Sequence, residues 1–511
     1  MPSLPVGTPL VTDGLRRQAL SGTRWTALAT GVGTALQLLQ VAIVARILTP
    51  ADFGLMALVL VILGFVQSYA DLGLSQALIA RGPVQPARFA AFFWLNILMG
   101  LGLFIALLVS AATLAELLGA PELAPLLPWA GVSLLILPWG QGFQSLLQKE
   151  LRFKPIAVAE MAGSLAGAAV AITTAWKGAG VYALIWGQLA NALVRTLPIA
   201  VQGWRRYRPA LRLSLAELRG ELRFGAFQMG ERTLGLINAR LDQLLIGAVL
   251  GAEALGYYNL AWQMTLQPLA RINPVVMRVA FPLFARIQND RPRVRRGYFQ
   301  AQRLLGAINF PLFLGLAVLA PVLVPTVFGT QWTPAVVLVQ LLAGVAMFRA
   351  IGNPVGALLL SQGRAGLGFA ANLVISLLQV PAVVVGARLG GATGVAVALL
   401  ALQAGFFGVA YLALIRPVLG ACLGAYLGSI ARPLLAASIM TVAMAALPAP
   451  ARWPLWTQLA LYSGFGVLVY MIVSRSLLPV EWELLSQWLG RRGRGGSGHR
   501  EAARRPPGRR G

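Results

Sequence analysis

The chain has 511 residues, of which 58% are hydrophobic and only 11% charged, and its formal net charge is +26. So apolar a chain cannot hide its surface from water as a soluble protein, and the absence of strand-like alternation leaves helices as the element that spans a bilayer. One cysteine, Cys422, excludes an intramolecular disulfide, and one histidine, His499, in the tail, excludes an internal His-based metal site or proton relay.

Residues 1–24 read as a cytoplasmic N-terminal segment without a cleavable signal peptide, because the apolar run from Trp25 is too long for one. Six spans follow near 25–47, 53–79, 89–111, 122–148, 156–175 and 179–201. Six more fall near 224–250, 254–285, 299–326, 333–360, 365–387 and 391–415, and two near 431–448 and 455–475. Each run approaches the 20 or so residues that cross a hydrocarbon core. The expected fold is an all-α integral membrane protein of about 14 transmembrane helices. It comprises two parallel-repeat six-helix lobes, 25–218 and 219–426, with two C-terminal helices over 427–475.

Charge placement gives the orientation. In this register 32 of the 42 Lys and Arg residues fall on one side and four (Arg46, Lys177, Arg388, Arg452) on the other, so both termini are expected in the cytoplasm. The basic excess is thus a topology signal and an affinity for anionic lipid headgroups, with no nucleic acid as partner. In residues 476–511, "LLPVEWELLSQWLG" reads as an interfacial helix with Trp482, Leu485 and Leu489 on one face, followed by a basic disordered cytoplasmic tail.

A hairpin is written twice. "ARILTPADFGLMAL" (45–58) and "GAVLGAEALGYYNL" (247–260) align at an offset of 202, with Leu48 over Leu250 and Gly54 over Gly256. Six spans separate the copies, so both point the same way, as parallel repeats do. In the first copy Thr49 is expected as N-cap, Pro50 at N1 and Asp52 at N3; Gly251 and Glu253 take these roles less well.

With these residues the sequence resembles the polysaccharide (Wzx-type) flippases of the multidrug/oligosaccharidyl-lipid/polysaccharide exporter superfamily, nearest the colanic-acid and exopolysaccharide branch. The matching stretches are "SGTRW" at 21–25, "ARILTPADFGL" at 45–55, "DLGLSQALI" at 71–79 and "LQKELRFK" at 147–154. In the second half they are 241–261, "RVAFPLFARIQND" at 278–290, "VFGTQWTPA" at 327–335 and "SQGRAG" at 361–366. The resemblance implies alternating access and a lipid-linked oligosaccharide, carried on undecaprenyl pyrophosphate, moved to the periplasmic leaflet of a bacterial inner membrane. It implies no cofactor, no catalysis, and contact with other polysaccharide-assembly proteins.

Ionisable residues at bilayer depth select the candidate site. Arg271 and Arg349 lie near mid-span, with Arg240, Arg232, Arg278 and Arg195 nearer the ends. Guanidinium forks suit the pyrophosphate of such a substrate. Arg271 and Arg278, seven apart, share a face, while Arg349, Asn353 and Gly356 form a polar and small strip. Arginines outnumber acids inside the spans, which disfavours a cation or drug exporter; a lipid II flippase is the nearer alternative. A membrane polymerase, ligase or glycosyltransferase needs an extramembrane catalytic loop, and the chain has neither a long periplasmic loop nor an Asp-x-Asp motif. Gln141, Gln144, Gln188, Asn191, Tyr257, Asn259 and Trp262 are candidate sugar contacts. Asp242, sharing a face with Glu231 and Asn238, is the candidate for coupling to H+ or Na+. The alternative for this set is interhelical packing with local ion pairs, such as Glu160 with Arg232.

Overall fold

A computed structural model describes residues 13–70, 85–210, 219–447 and 453–479, by backbone alone at 13–20, 219–234, 236–239, 275, 279 and 365. Among the described residues every regular element is helical. The helices are α1 (Asp13–Val44), α2 (Pro50–Ala70), α3 (Pro86–Leu117), α4 (Leu123–Ile136), α5 (Pro138–Lys149), α6 (Phe153–Trp176) and α7 (Tyr182–Tyr207). Then come α8 (Arg219–Arg286), α9 (Arg291–Phe328), α10 (Ala335–Ser361), α11 (Ala365–Ala410), α12 (Leu423–Ala446) and α13 (Leu455–Leu477).

Eleven of these helical stretches are long and apolar enough to cross a membrane, or twelve if the α4–α5 pair, bent by 40° at Pro138, is one broken span. The chain is a multi-pass membrane protein. The sequence pattern gives fourteen, and the difference has a physical source. Two of the stretches, Arg240–Arg286 and Gly366–Leu419, run 47 and 54 residues. A straight helix of that length is about 70–80 Å long, more than twice a hydrocarbon core. Each is broken at glycine: Gly251 (φ 85°, ψ 178°) in α8, and Gly390 with Gly391 (φ 59°) in α11. The chain folds back at Gly251, since Tyr258 hydrogen-bonds Asp242 sixteen residues away, about 24 Å along a straight helix. The thirteenth predicted span begins earlier than expected, at Leu423, because Arg432 and Pro433 are accommodated inside α12. The motif at 71–79, Arg81, the proposed interfacial helix beyond 479 and the basic tail lie outside the described residues.

The chain divides into two compact units, Met1–Asn259 with 327–332 and 383–392, and Leu260–Thr326 with 333–382 and 393–511. In the first unit α6 and α7 pack through small residues. Gly163 and Gly167 lie against the Asn191 and Gly187 carbonyls, and Gly187 against Ala171. Backbones approach this closely only where side chains are small, the usual solution for helix pairs in lipid. A second cluster joins Phe89, Phe92, Phe93 and Phe143 with Ile156 and Ile199.

In the second unit the core gathers Phe284, Tyr298, Phe310, Leu358, Tyr411 and Tyr426. Tyr426 stacks between Phe407 and Tyr411, at ring centroid distances of 5.2 and 5.3 Å. Two pairs of buried polar side chains here bond to each other. The Asn309 amide donates to the Asn273 carbonyl (3.1 Å), and the Ser429 hydroxyl donates to Gln302 (2.9 Å).

Candidate functional site

The duplicated hairpins meet inside the first unit. A β-carbon on Gly54 would overlap the Ala252 carbonyl, and one on Gly256 would overlap the carbonyl of Pro50. At the offset of 202, Ala252 is the counterpart of Pro50, so residue 54 of each copy touches residue 50 of the other. Such a reciprocal contact is what a local two-fold axis produces. The turns after α3 and α9 obey the same relation. Gly119 (φ 62°) lies against the Ala248 carbonyl, and Gly329 (φ 107°) against the side chain of Arg46, the residue equivalent to Ala248.

The first hairpin is held as its sequence predicts. The Thr49 backbone N–H and hydroxyl donate to Asp52 Oδ2 at 2.9 and 2.7 Å, and the Asp52 N–H donates back to Thr49 Oγ1 at 3.3 Å. This is a capping box with the acid in the first turn. The segment 327–332 covers it from above. Trp332 Nε1 donates to the Ala45 carbonyl (2.8 Å), Gln331 Nε2 to Leu48 (3.1 Å), and Arg46 Nε to the carbonyl of Val327 (3.0 Å). Trp332 is completely buried, edge-on to Phe53 and Tyr257. The sequence carried these three residues only as part of a motif; nothing in their local pattern announced the long-range bonds.

The second hairpin is held differently. Asp242, 2% exposed, accepts a 2.6 Å hydrogen bond from the hydroxyl of the fully buried Tyr258. Its other oxygen accepts from the Gln243 N–H at 2.9 Å, and Arg240 donates to the Gln243 side chain at 2.9 Å. Asp242 thus joins the two arms on either side of Gly251. Glu253 accepts from Tyr257 at 3.1 Å. Tyr258 was missed in the sequence because an aromatic in an apolar run reads as core.

The remaining candidates in the first unit scatter. Arg195 forms an ion pair with Glu160 at 3.1 Å, both about one-third exposed. Gln141, Gln144, Gln188 and Asn191 are half-buried, and Asn259 is buried. The side chains of Glu231, Arg232 and Asn238 lie outside the described residues.

In the second unit Arg271 and Arg278 are both exposed, along one stripe of α8 with Pro274 and Phe281, while Leu269, Asn273, Ala280 and Phe284 face the core. On α10, Arg349 is half-buried and forms no ion pair among the described residues, and Asn353 and Gly356 continue its face outward. Gly352 and Gly356 have open space where a β-carbon would stand, so this strip borders unfilled volume. Trp262 packs beside Leu266 and Phe313.

The fold defines a multi-pass helical membrane protein in which two hairpins of similar sequence meet. The fold is similar to that of the lipid II flippase MurJ in its inward closed conformation, with a TM-score of 0.68 over 88% of this chain and 97% of that one, at 16% identity. The model of the polysaccharide biosynthesis protein family matches residues 43–337, and the chain belongs to that family. It is 35% identical to the lipopolysaccharide biosynthesis protein WzxC of Escherichia coli (strain K12), across 82% of this chain and 85% of that protein. It is 30% identical to the succinoglycan biosynthesis transport protein ExoT of Rhizobium meliloti (strain 1021), across 62% and 64% respectively.

Proposed function

We propose that this chain flips a polyprenyl-pyrophosphate-linked oligosaccharide from the cytoplasmic to the periplasmic leaflet of a bacterial inner membrane by alternating access, for exopolysaccharide or lipopolysaccharide synthesis. The observation that carries this reading is the family membership, with WzxC as a relative matched over most of both chains. The exposed arginine stripe of α8 and the open strip of Arg349, Asn353 and Gly356 fit the anionic part of such a substrate.

In this reading the α4–α5 pair is one broken span and the breaks at Gly251 and Gly390–Gly391 each separate two spans, giving fourteen, with lobes over 25–218 and 219–426 and both termini cytoplasmic. The chain acts without chemistry on the sugar. Asp242 is the group through which H+ or Na+ movement would bias one access state over the other. A lipid II flippase shares the pyrophosphate and the fold, but family membership favours the polysaccharide substrate.

The test is reconstitution of the purified chain in vesicles with a lipid-linked oligosaccharide in one leaflet, followed by probing the other. The substrate should change leaflet with its chemistry intact, and Arg271→Gln and Arg349→Gln should each slow the transfer about tenfold or more, the loss of one charge-assisted contact. Chemical transfer or hydrolysis that vanishes in a point mutant would replace this reading with an enzyme. Wild-type rates in both arginine variants would remove the proposed site.

A further inference from the structure

The second unit holds a cleft that the arginine strip does not use. It occupies about 530 Å³ between the two arms of α11, on either side of the break at Gly390–Gly391. That volume falls in the range of about 300–1,000 Å³ typical of ligand pockets. The walls are apolar throughout. Ala371, Phe406, Ala410 and Leu414 belong to the adjoining core and form the floor, whereas Val374 and Val409 are more than half exposed at the rim. Small residues, among them Ala370, Ala401 and Gly405, make the hollow.

Three features give the cleft a direction. On the first arm its lining runs from Leu367 to Leu378, about 17 Å of helix, close to the depth of one leaflet. The arms are antiparallel, so Leu367 and Leu414 stand at the end far from the glycine break. Arg364, which precedes α11, and Arg416, which follows the π-helical turn Tyr411–Ile415, stand at that same end. Both arginines are exposed, and neither forms an ion pair among the described residues. The π-helical turn supplies two lining residues, Ala413 and Leu414, and such turns recur at functional sites. Its far side is anchored, because the Cys422 N–H donates to the Tyr411 hydroxyl at 3.0 Å.

An apolar trough one leaflet deep, with two guanidinium groups at one mouth, is complementary to an anionic amphiphile with its chain along the helices and its phosphate at the arginines. We infer that this cleft holds the polyprenyl chain of the substrate lipid while its phosphate-bearing head is still in the cytoplasmic leaflet. The identity of the occupant rests on the proposed function; the cleft and its charged mouth do not.

Gly405 allows a clean test. A β-carbon there meets nothing within 4 Å, and replacing glycine in a helix raises helix propensity, so Gly405→Leu fills the cleft without displacing a neighbour. The full chain in nanodiscs would be labelled with a photoactivatable polyprenyl phosphate and the adducts mapped by mass spectrometry. Adducts are expected within 367–378 and 401–414. Gly405→Leu, with an unchanged melting temperature, should lower them about tenfold, the loss of a few buried methylene contacts. Arg364→Gln combined with Arg416→Gln should reduce labelling to the level of the uncharged polyprenol. Equal labelling by a photoactivatable phosphatidylglycerol, or unchanged labelling in Gly405→Leu, overturns the inference. If wild type and Gly405→Leu flip lipid-linked oligosaccharide equally and label equally, the cleft falls while the transport reading stands. If the cleft labels as expected but wild type moves no substrate, the transport reading falls alone.

Discussion

The two hairpins share a sequence pattern and differ in their means of support. The copy at 45–58 is closed locally, by Thr49 and Asp52, and then covered by Trp332 and Gln331. The copy at 247–260 has no such cap; it turns through Gly251 and is tied across its arms by Asp242 and Tyr258. At the position of Asp242 the first copy has Gln40, and at the position of Tyr258 it has Met56. What both keep is the glycine at the crossing.

The largest effect should come from attacking what is shared. Gly54→Ala and Gly256→Ala each place a β-carbon into the other hairpin's backbone, which cannot swing aside as a side chain can. Each should destabilise by about 3 kcal/mol, the upper part of the overpacking range. Because both changes push apart one contact, the double variant should lose clearly less than the sum. Thermal unfolding in detergent would measure this. Full additivity would mean that the two glycines do not share a contact.

The next effect is specific to the second copy. Gly251→Ala must hold φ 85° with ψ 178°, a region reserved for glycine, and should cost about 2 kcal/mol. Ala51, two residues beyond the counterpart of Gly251 in the first hairpin, lies in regular α-helix and should accept glycine at about 1 kcal/mol or less. Equal losses at both sites would erase the distinction between a capped turn and a glycine turn.

Tyr258→Phe should lower stability by about 1.5 kcal/mol, since it leaves one oxygen of the buried Asp242 without its 2.6 Å donor. The same site separates support from coupling. Asp242→Asn keeps an acceptor for Tyr258 but removes the charge. If Asp242 only ties the arms, this variant should transport with full dependence on an imposed H+ or Na+ gradient. Transport that persists but no longer responds to the gradient is the outcome expected of a coupling group.

Much of this contrast was legible before any coordinates. Helices, their near-bilayer lengths, the repeat and the Thr49–Asp52 cap are local properties, written in hydropathy period and in residues three apart. Hydropathy gives fourteen runs where the fold has eleven or twelve helices long and apolar enough to cross a membrane, and two of those, over Arg240–Arg286 and Gly366–Leu419, are broken at glycine. The Arg349, Asn353 and Gly356 strip followed from helical spacing alone. The rest depended on chain segments hundreds of residues apart. Trp332 reaching Ala45 and Gly54 meeting Ala252 are tertiary facts with no periodic signature. The cleft along α11 was illegible for a related reason. Alanine, glycine and leucine on two adjoining arms read as ordinary packing, and only the fold reveals where they fail to fill space.

The smallest expected effect returns to the first hairpin. Thr49 is exposed, and its hydroxyl serves twice, donating to Asp52 Oδ2 and accepting from the Asp52 N–H. Thr49→Ala removes both contacts but leaves the Thr49 N–H bonded to the same carboxylate at 2.9 Å, and the cover of Gln331 and Trp332 on Ala45 and Leu48 remains. The loss should therefore be about 1 kcal/mol, the ordinary worth of an N-cap. Thr49→Ser keeps the hydroxyl and should lose only a few tenths of a kcal/mol, which separates the cap from the methyl group. The comparison sharpens if Thr49→Ala is combined with Gly251→Ala. The two residues hold different turns with no shared bond, so their effects should add within about 0.5 kcal/mol. A strong departure from additivity would show that the hairpins are supported as one body, and that the separate devices seen at each turn do not act separately.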